Sequence, residues 1–347
     1  MRYARKIGQG LIAGLMAWFL IVAPAQAAHD THHKPAVDRV HGSLSVMVLG
    51  SGGPVAMPSG RASAGYLIFT DGKPRLLMDV GGGTFKSLAA SGTNVKDLDL
   101  ILLSHLHVDH TSDLPAIIKT VYFHSRGAHD LHKAPFQIYG PGANGVTFPH
   151  SKVTQYPSTT AYLSDLFDMP NGAYRYLHIF AKAISGGTFG YQGHDISPDV
   201  HKPVHTILKD HGLVVKAVGV VHGPAPAVAY RIEYKGKSIV YSGDTSSKSD
   251  NMIKIARGAD MLIYDTAIMD DIPNGPRDAV FYKLHTTPSR MGEVAAAAMP
   301  KTLVLSHLTP NTLPRLDQVK QKVRGKGYKG KIVVAHDLAV YNLGDSD

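Results

Sequence analysis

Ser104-His105-Leu106-His107-Val108-Asp109-His110 follows an apolar run over residues 98–103 and places four metal-competent side chains within six residues. In extended backbone, residues two apart point to the same side, so the imidazoles of His105 and His107 can grip one ion. Asp109 and His110 begin a turn toward a helix and can reach a second. Four such groups are a costly way to fill a core, because every buried polar group needs a partner. Further candidates stand at the ends of later apolar strands. His222 ends the run over 214–221, Asp244 follows 238–241 in Ser242-Gly243-Asp244-Thr245, and His307 follows 303–305. Such placement is expected if strand ends converge on one cleft. The chain has no cysteine, so a metal site must be built from His and carboxylates, and disulfides are excluded.

The chain has 347 residues, 44% of them hydrophobic and 18% charged, enough to bury a full core in one large domain or two fused similar halves. The formal net charge is +9, but Arg2, Arg5 and Lys6 fall in a leader, which leaves 33 basic against 27 acidic residues. That modest excess suits anionic substrates. With no Lys/Arg stripe, it speaks against nucleic acid as a partner. The basic start, the apolar run over 11–23 and Ala25-Gln26-Ala27-Ala28 read as a signal peptide over 1–27, cleaved after Ala27. The run is shorter than the roughly 20 residues of a spanning helix, so a bacterial periplasmic or secreted protein with no stable membrane span is expected. Residues 28–43, with His29, His32, His33 and His41, lack a hydrophobic period and read as a flexible segment.

From Leu44 the pattern is of short apolar strands between glycine turns: residues 44–49, 66–69, 75–80 and 98–103, then a helix over 113–123 capped by Ser112 and a strand over 136–139. Strands resume over 213–221, 227–233 and 238–241. Helices at 251–257, 288–298 and 314–323 then alternate with strands at 261–264, 303–305 and 332–334. Meanders followed by alternation predict an α/β fold, a four-layer αββα sandwich spanning 44–347. Residues 143–211 interrupt it with Tyr162, Phe167, Tyr174, Tyr176, Phe180, Phe189 and Tyr191. A structureless loop of that length does not suit a compact domain, so the segment reads as an inserted aromatic lobe, either a decorated surface or a lid.

On His105-x-His107-x-Asp109-His110, His222, Ser242-Gly243-Asp244-Thr245 and Leu305-Ser306-His307, the chain resembles the metallo-β-lactamase superfamily, and within it the ribonuclease Z-like and arylsulfatase-like zinc phosphodiesterase branch. The resemblance implies two Zn2+ ions, with Mn2+ or Fe2+ admitted in their place. His105, His107 and His222 would hold the first, Asp109, His110 and His307 the second, and Asp244 would bridge them. Asp265, in a segment where the branch carries an acid, and His285, in His285-Thr286-Thr287-Pro288, would form a proton-donating pair, the carboxylate orienting the imidazole and raising its pKa. Asp109 is also a candidate for orienting the attacking water. These readings predict an exported zinc hydrolase of small anionic esters, phosphodiester or aryl sulfate, and leave a homodimer open. A ribonuclease Z-like endoribonuclease is the nearest alternative by motif. Against it stand the leader and the 22 positions from His222 to Asp244, room for a hairpin but not for a tRNA-grasping arm. A lactone or β-lactam hydrolase and a non-catalytic periplasmic zinc-binding protein are the remaining alternatives.

Overall fold

A computed structural model describes residues 34–127, 134–148, 151–185, 189–273, 275 and 278–344, and the fold is that of the unit running from Pro35. The leader, His29, His32 and His33 lie outside the described residues. Among the described residues no helix is long and apolar enough to cross a membrane.

Strands β1 (Leu44–Gly50), β2 (Gly65–Thr70), β3 (Lys73–Val80), β4 (Leu100–Leu102), β5 (Phe136–Pro141) and β6 (Tyr191–Ile196) form one sheet, with the C-terminal β14 (Val340–Leu343) on its other edge, in the order β14-β1-β2-β3-β4-β5-β6. The second sheet contains β7 (His205–Asp210), β8 (Leu213–His222), β9 (Ala225–Tyr234), β10 (Lys237–Tyr241), β11 (Met261–Asp265), β12 (Thr302–Ser306) and β13 (Lys331–Val334), in the order β13-β12-β11-β10-β9-β8-β7. Each sheet pairs antiparallel through its hairpins and parallel where helices cross over, as at β3–β4 and β10–β11. Helices α1 (Thr84–Ala90), α2 (Val108–Thr111), α3 (Leu114–Gly127), α4 (Thr159–Phe167), α5 (Tyr176–Ser185), α6 (Asn251–Ala256), α7 (Phe281–Leu284), α8 (Pro288–Ala298) and α9 (Leu316–Gly325) complete the elements.

Three hydrophobic layers show why the central strands read as continuous apolar runs: they are buried on both faces. In β1, Leu44, Val46 and Val48 pack between the sheets while Met47 and Leu49 face the first helix layer. In β9, Val228, Tyr230 and Ile232 pack inward while Ala227 and Ala229 meet α6 and α8 residues such as Met252 and Met291. The expected four-layer sandwich is the observed fold.

Several local expectations change. Ser112 closes α2 rather than opening α3, with its N–H on the Val108 carbonyl. The neighbouring Asp113 accepts from the N–H groups of Gly83 and Phe85, satisfying donors at the start of α1. Residues 36–43, expected to be flexible, are docked: Ala36 is buried, Val37 N–H donates to the Ser91 carbonyl and His41 N–H to Asn342. The segment 143–211 supplies both sheets with an edge strand, β6 and β7. Most of its aromatic rings belong to the outer layer: Phe167 and Phe189 are buried with Leu163 and Leu177 in the core that contains Ile117 and Val121 of α3, with Tyr162, Phe180 and Tyr191 packed around them, while Tyr174 and Tyr176 are exposed. Burial against a sheet accounts for Phe167 and Phe189 as core residues. Phe167→Ala should therefore cost about 3–5 kcal/mol of stability, as large-to-small changes in cores do. Denaturant unfolding would measure it, while metal binding of the folded protein stays unchanged. A loss of turnover with no loss of stability would favour a lid.

Candidate metal centre

Each predicted ligand stands at or beyond the C-terminal end of a strand, and these ends meet at one edge of the sandwich. His105 and His107 follow β4, with Asp109 and His110 in the short helix α2, while His222 ends β8, Asp244 follows β10 and His307 follows β12. Two backbone positions make room for the meeting. A Cβ at Gly81 would lie 1.9 Å from the Asp109 carbonyl oxygen, so only glycine fits there. Gly243 adopts a positive φ of 55° against Ser104 immediately before Asp244.

The side chains gather into overlapping groups whose ligand atoms lie within 4.8 Å of one another: His105, His107 and His222; Asp109, His110, Asp244 and His307; and Asp244, Asp265, His285 and His307. His107 Nδ1 is 3.2 Å from His222 Nε2, and His307 Nε2 is 3.2 Å from both His110 Nε2 and Asp109 Oδ2. Asp244 spans the first two groups. Its Oδ2 is 3.9 Å from His105 Nε2 and from His222 Nε2, and its Oδ1 is 3.4 Å from His110 Nε2 and 3.3 Å from His307 Nε2. Ligands about 2.0–2.2 Å from a tetrahedral ion lie roughly 3.3–3.5 Å apart, so this spacing fits a cation in each group. Among the described residues, the buried side-chain nitrogen and oxygen atoms left without a hydrogen-bond partner are His105 Nε2, Asp244 Oδ1 and His307 Nδ1, all in this cluster. Buried polar atoms are otherwise paired, and a cation would satisfy the first two.

Electrostatics agree with that fit. Burial, reinforced by His110 and His222, holds His105 well below the usual imidazole range, and burial lowers His222 to about 4. Burial also opposes charge on His307, but Asp244, Asp109 and Asp265 override it and raise the ring to about 10; Asp244, Asp79 and Asp109 likewise lift His110 well above its usual range. The negative charge of Asp244 thus favours the charged form of two imidazoles, a role a cation would take over with release of protons.

A second ring of contacts fixes the imidazoles. Asp79, absent from the predicted site, accepts from His110 Nδ1 at 2.7 Å, Ser104 N–H at 2.7 Å, Ser104 Oγ at 2.6 Å and Tyr241 OH at 2.7 Å. Ser104 Oγ, its proton given to Asp79, accepts from His105 Nδ1 at 3.1 Å. His222 Nδ1 donates to the Leu284 carbonyl at 2.8 Å. Each bond leaves Nε2 as the nitrogen that faces the cluster. Asp79 has a φ of 52°, a strained conformation held by its four donors. An acid closing an apolar strand before Gly81-Gly82-Gly83 was the available signal for it.

The remaining predicted residues form a pair beside the bridge. His285 Nδ1 donates to Asp265 Oδ2 at 2.9 Å and lies 3.8 Å from Asp244 Oδ2. Burial disfavours the imidazolium, but Asp265 and then Asp244 outweigh it, and the ring's pKa is raised. Asp265 also accepts from Ala267 N–H, which fixes the carboxylate as it fixes the ring.

A four-layer sandwich with a strand-end His/Asp cluster defines the architecture of a metal-binding fold. The chain belongs to the Metallo-beta-lactamase superfamily, whose family model matches residues 59–271. A ribonuclease Z of Mycobacterium marinum is 26% identical over 298 residues, covering 85% of this chain and 97% of the relative. Among solved structures, the metallo-beta-lactamase fold protein YhfI from Bacillus subtilis matches with a TM-score of 0.61 and 20% identity, over 86% of this chain and 98% of that one. The short form of human tRNase Z matches at 0.58 and 22% identity, with the same coverage. The two structures speak for the fold. The fold is one that typically binds divalent metals, and the His/Asp groups fit them. With a ribonuclease Z aligned along nearly its whole length, the lack of a Lys/Arg stripe no longer sets nucleic acid aside.

Proposed function

We propose that the chain is a dinuclear zinc phosphodiesterase, with ribonuclease Z-like cleavage of RNA as its leading activity. The observation that carries it is the His285–Asp265 pair, 2.9 Å apart and beside the bridging carboxylate, where it can deliver a proton to a departing ester oxygen. His105, His107 and His222 would hold one ion and Asp109, His110 and His307 the other, with Asp244 within reach of both. Bound there, the cations supply Lewis-acid charge to the ester oxygens and bring the pKa of water toward neutrality. Asp265 keeps the Nδ1 proton of His285 in place, so the ring gives up its Nε2 proton to the leaving oxygen. Asp109 orients the attacking water.

A second reading, hydrolysis of small anionic esters such as aryl sulfates or simple phosphodiesters, is favoured by one feature of the fold. His222 passes through Gly223 and Pro224 directly into β9, so no arm that could grasp a folded RNA leaves the sheet at this point. Zinc-loaded protein should be assayed on a 3′-extended precursor tRNA, a bis-aryl phosphate, an aryl phosphate monoester, an aryl sulfate, a lactone and a cephalosporin. Relative kcat/KM decides the class. A preference for lactone or cephalosporin, or no turnover on any of them, would defeat both readings.

The leader read in residues 1–27 points to export, which counts for the small anionic esters and against an RNA substrate. Its mature amino terminus should be near Ala28, recovered from the periplasm. Amino-terminal sequencing that returns Met1 would point instead to an anchored protein.

A further inference from the structure

Next to His285 and Asp265 lies a file of buried hydroxyls that neither the candidate ligands nor the proposed acid account for. Tyr264 and Thr286 are fully buried and Ser247 nearly so. Thr286 Oγ1 donates to the Thr245 carbonyl at 2.5 Å and lies 2.7 Å from Ser247 Oγ, which lies 2.5 Å from Tyr264 OH. Each hydroxyl has one proton to give. Thr286 gives its proton to the Thr245 carbonyl and so accepts from Ser247. Ser247, its proton used, accepts from Tyr264. The direction is thereby fixed, from Tyr264 through Ser247 and Thr286 to the carbonyl of Thr245.

The file ties together three backbone segments, each with a site residue one position away: Thr245 follows Asp244, Tyr264 precedes Asp265 and Thr286 follows His285. Its central residue is held firmly. Ser247 has a φ of 50°, its N–H donates to Thr245 Oγ1 at 3.0 Å and its carbonyl accepts from Arg290 Nε at 2.9 Å. Strain of this kind persists only where surrounding contacts over-determine the conformation.

We infer that Tyr264, Ser247 and Thr286 are positioning residues that hold His285 and Asp265 in register with Asp244, and so set proton transfer from His285 to the leaving oxygen. The inference rests on the general-acid role of His285 proposed above. A displacement of about 1 Å can cost on the order of 10²-fold in rate, and three hydroxyls that clamp adjacent backbone segments guard against it.

The test uses zinc-loaded full-length protein and two esters of one phosphoryl group, one releasing nitrophenolate and one an alkoxide. Tyr264→Phe and Thr286→Val should each lower kcat roughly 10–100-fold on the alkoxide ester and less than about 3-fold on the nitrophenyl ester. Metal content and KM should not change, and Thr286→Ser should restore the rate. Tyr264→Phe added to His285→Ala should cost nothing further, because both act through one group. Equal loss on the two esters, loss of metal, or additivity in the double variant overturns the positioning role. If His285→Ala alone loses rate equally on both esters, the general-acid reading falls, a failure visible without any change in the hydroxyl file. Tyr264→Phe and Thr286→Ser remove or keep a single hydroxyl at near-constant volume, so a folding failure of Thr286→Val leaves the comparison intact.

Discussion

Asp244→Ala should empty both metal positions together. Its two carboxylate oxygens face different groups, Oδ2 toward His105 and His222 and Oδ1 toward His110 and His307, so no other side chain replaces it at both. Elemental analysis of metal-replete protein should give about two zinc-like ions per chain before the change and fewer than about one after it. Hydrolysis should fall by more than roughly 10³-fold, since the loss of a single electrostatic stabiliser already costs on the order of 10²–10³-fold. Asp244→Asn keeps the shape while removing the charge and should lie close to alanine. Asp109→Ala touches only the second group and should release one ion while sparing the other. Two tightly held ions in the Asp244 variant would end the bridging assignment and the division into two sites.

The candidate ligands are legible in the sequence because of where they sit. A strand buried on both faces is an unbroken apolar run, and a His or Asp at its end stands out against it, as His222 does at the end of β8 and His307 after β12. Elements without that contrast were missed. β6, β7 and β14 are edge strands with partly exposed side chains, so Tyr191–Ile196, His205–Asp210 and Val340–Leu343 carry no apolar run to mark them. The short helix α1 begins at the left-handed Gly83, in a glycine turn that conceals its start. The aromatic segment reads equally as surface lobe or lid because aromatic residues serve substrate pockets and outer-layer cores equally well. The contacts of Phe167 with Phe189 and Tyr191, ring centroids 5.4 Å apart in each case, assign those three rings to packing. Asp79 was overlooked for a similar reason. An acid at a strand end has the form of a ligand or a turn former, and its work of orienting His110 and Ser104 appears only in three dimensions.

His285→Ala should keep both ions and lose rate in proportion to the difficulty of the leaving group. The ring contacts Asp265 at 2.9 Å, and its Nδ1 lies 3.8 Å from Asp244 Oδ2 without entering either proposed ligand set, so removing it leaves those sets complete. A general acid contributes roughly 10²–10⁴-fold where the leaving oxygen must be protonated. Esters that depart as stable phenolates need little protonation, and their loss should be much smaller. The ribose oxygen released when RNA is cut belongs to the first kind, so the precursor tRNA in the substrate panel should suffer more than the bis-aryl phosphate. Asp265→Asn should follow the same pattern more weakly. It keeps a neighbour for Nδ1 but removes the negative charge that supports the imidazolium, so the ring is misoriented and less basic. The two changes should be far from additive, because the carboxylate acts through the ring. Loss of zinc in the His285 variant would move that histidine into the metal set, as the third geometric group of Asp244, Asp265, His285 and His307 would allow. A uniform loss across leaving groups with both ions retained would assign it to substrate binding instead.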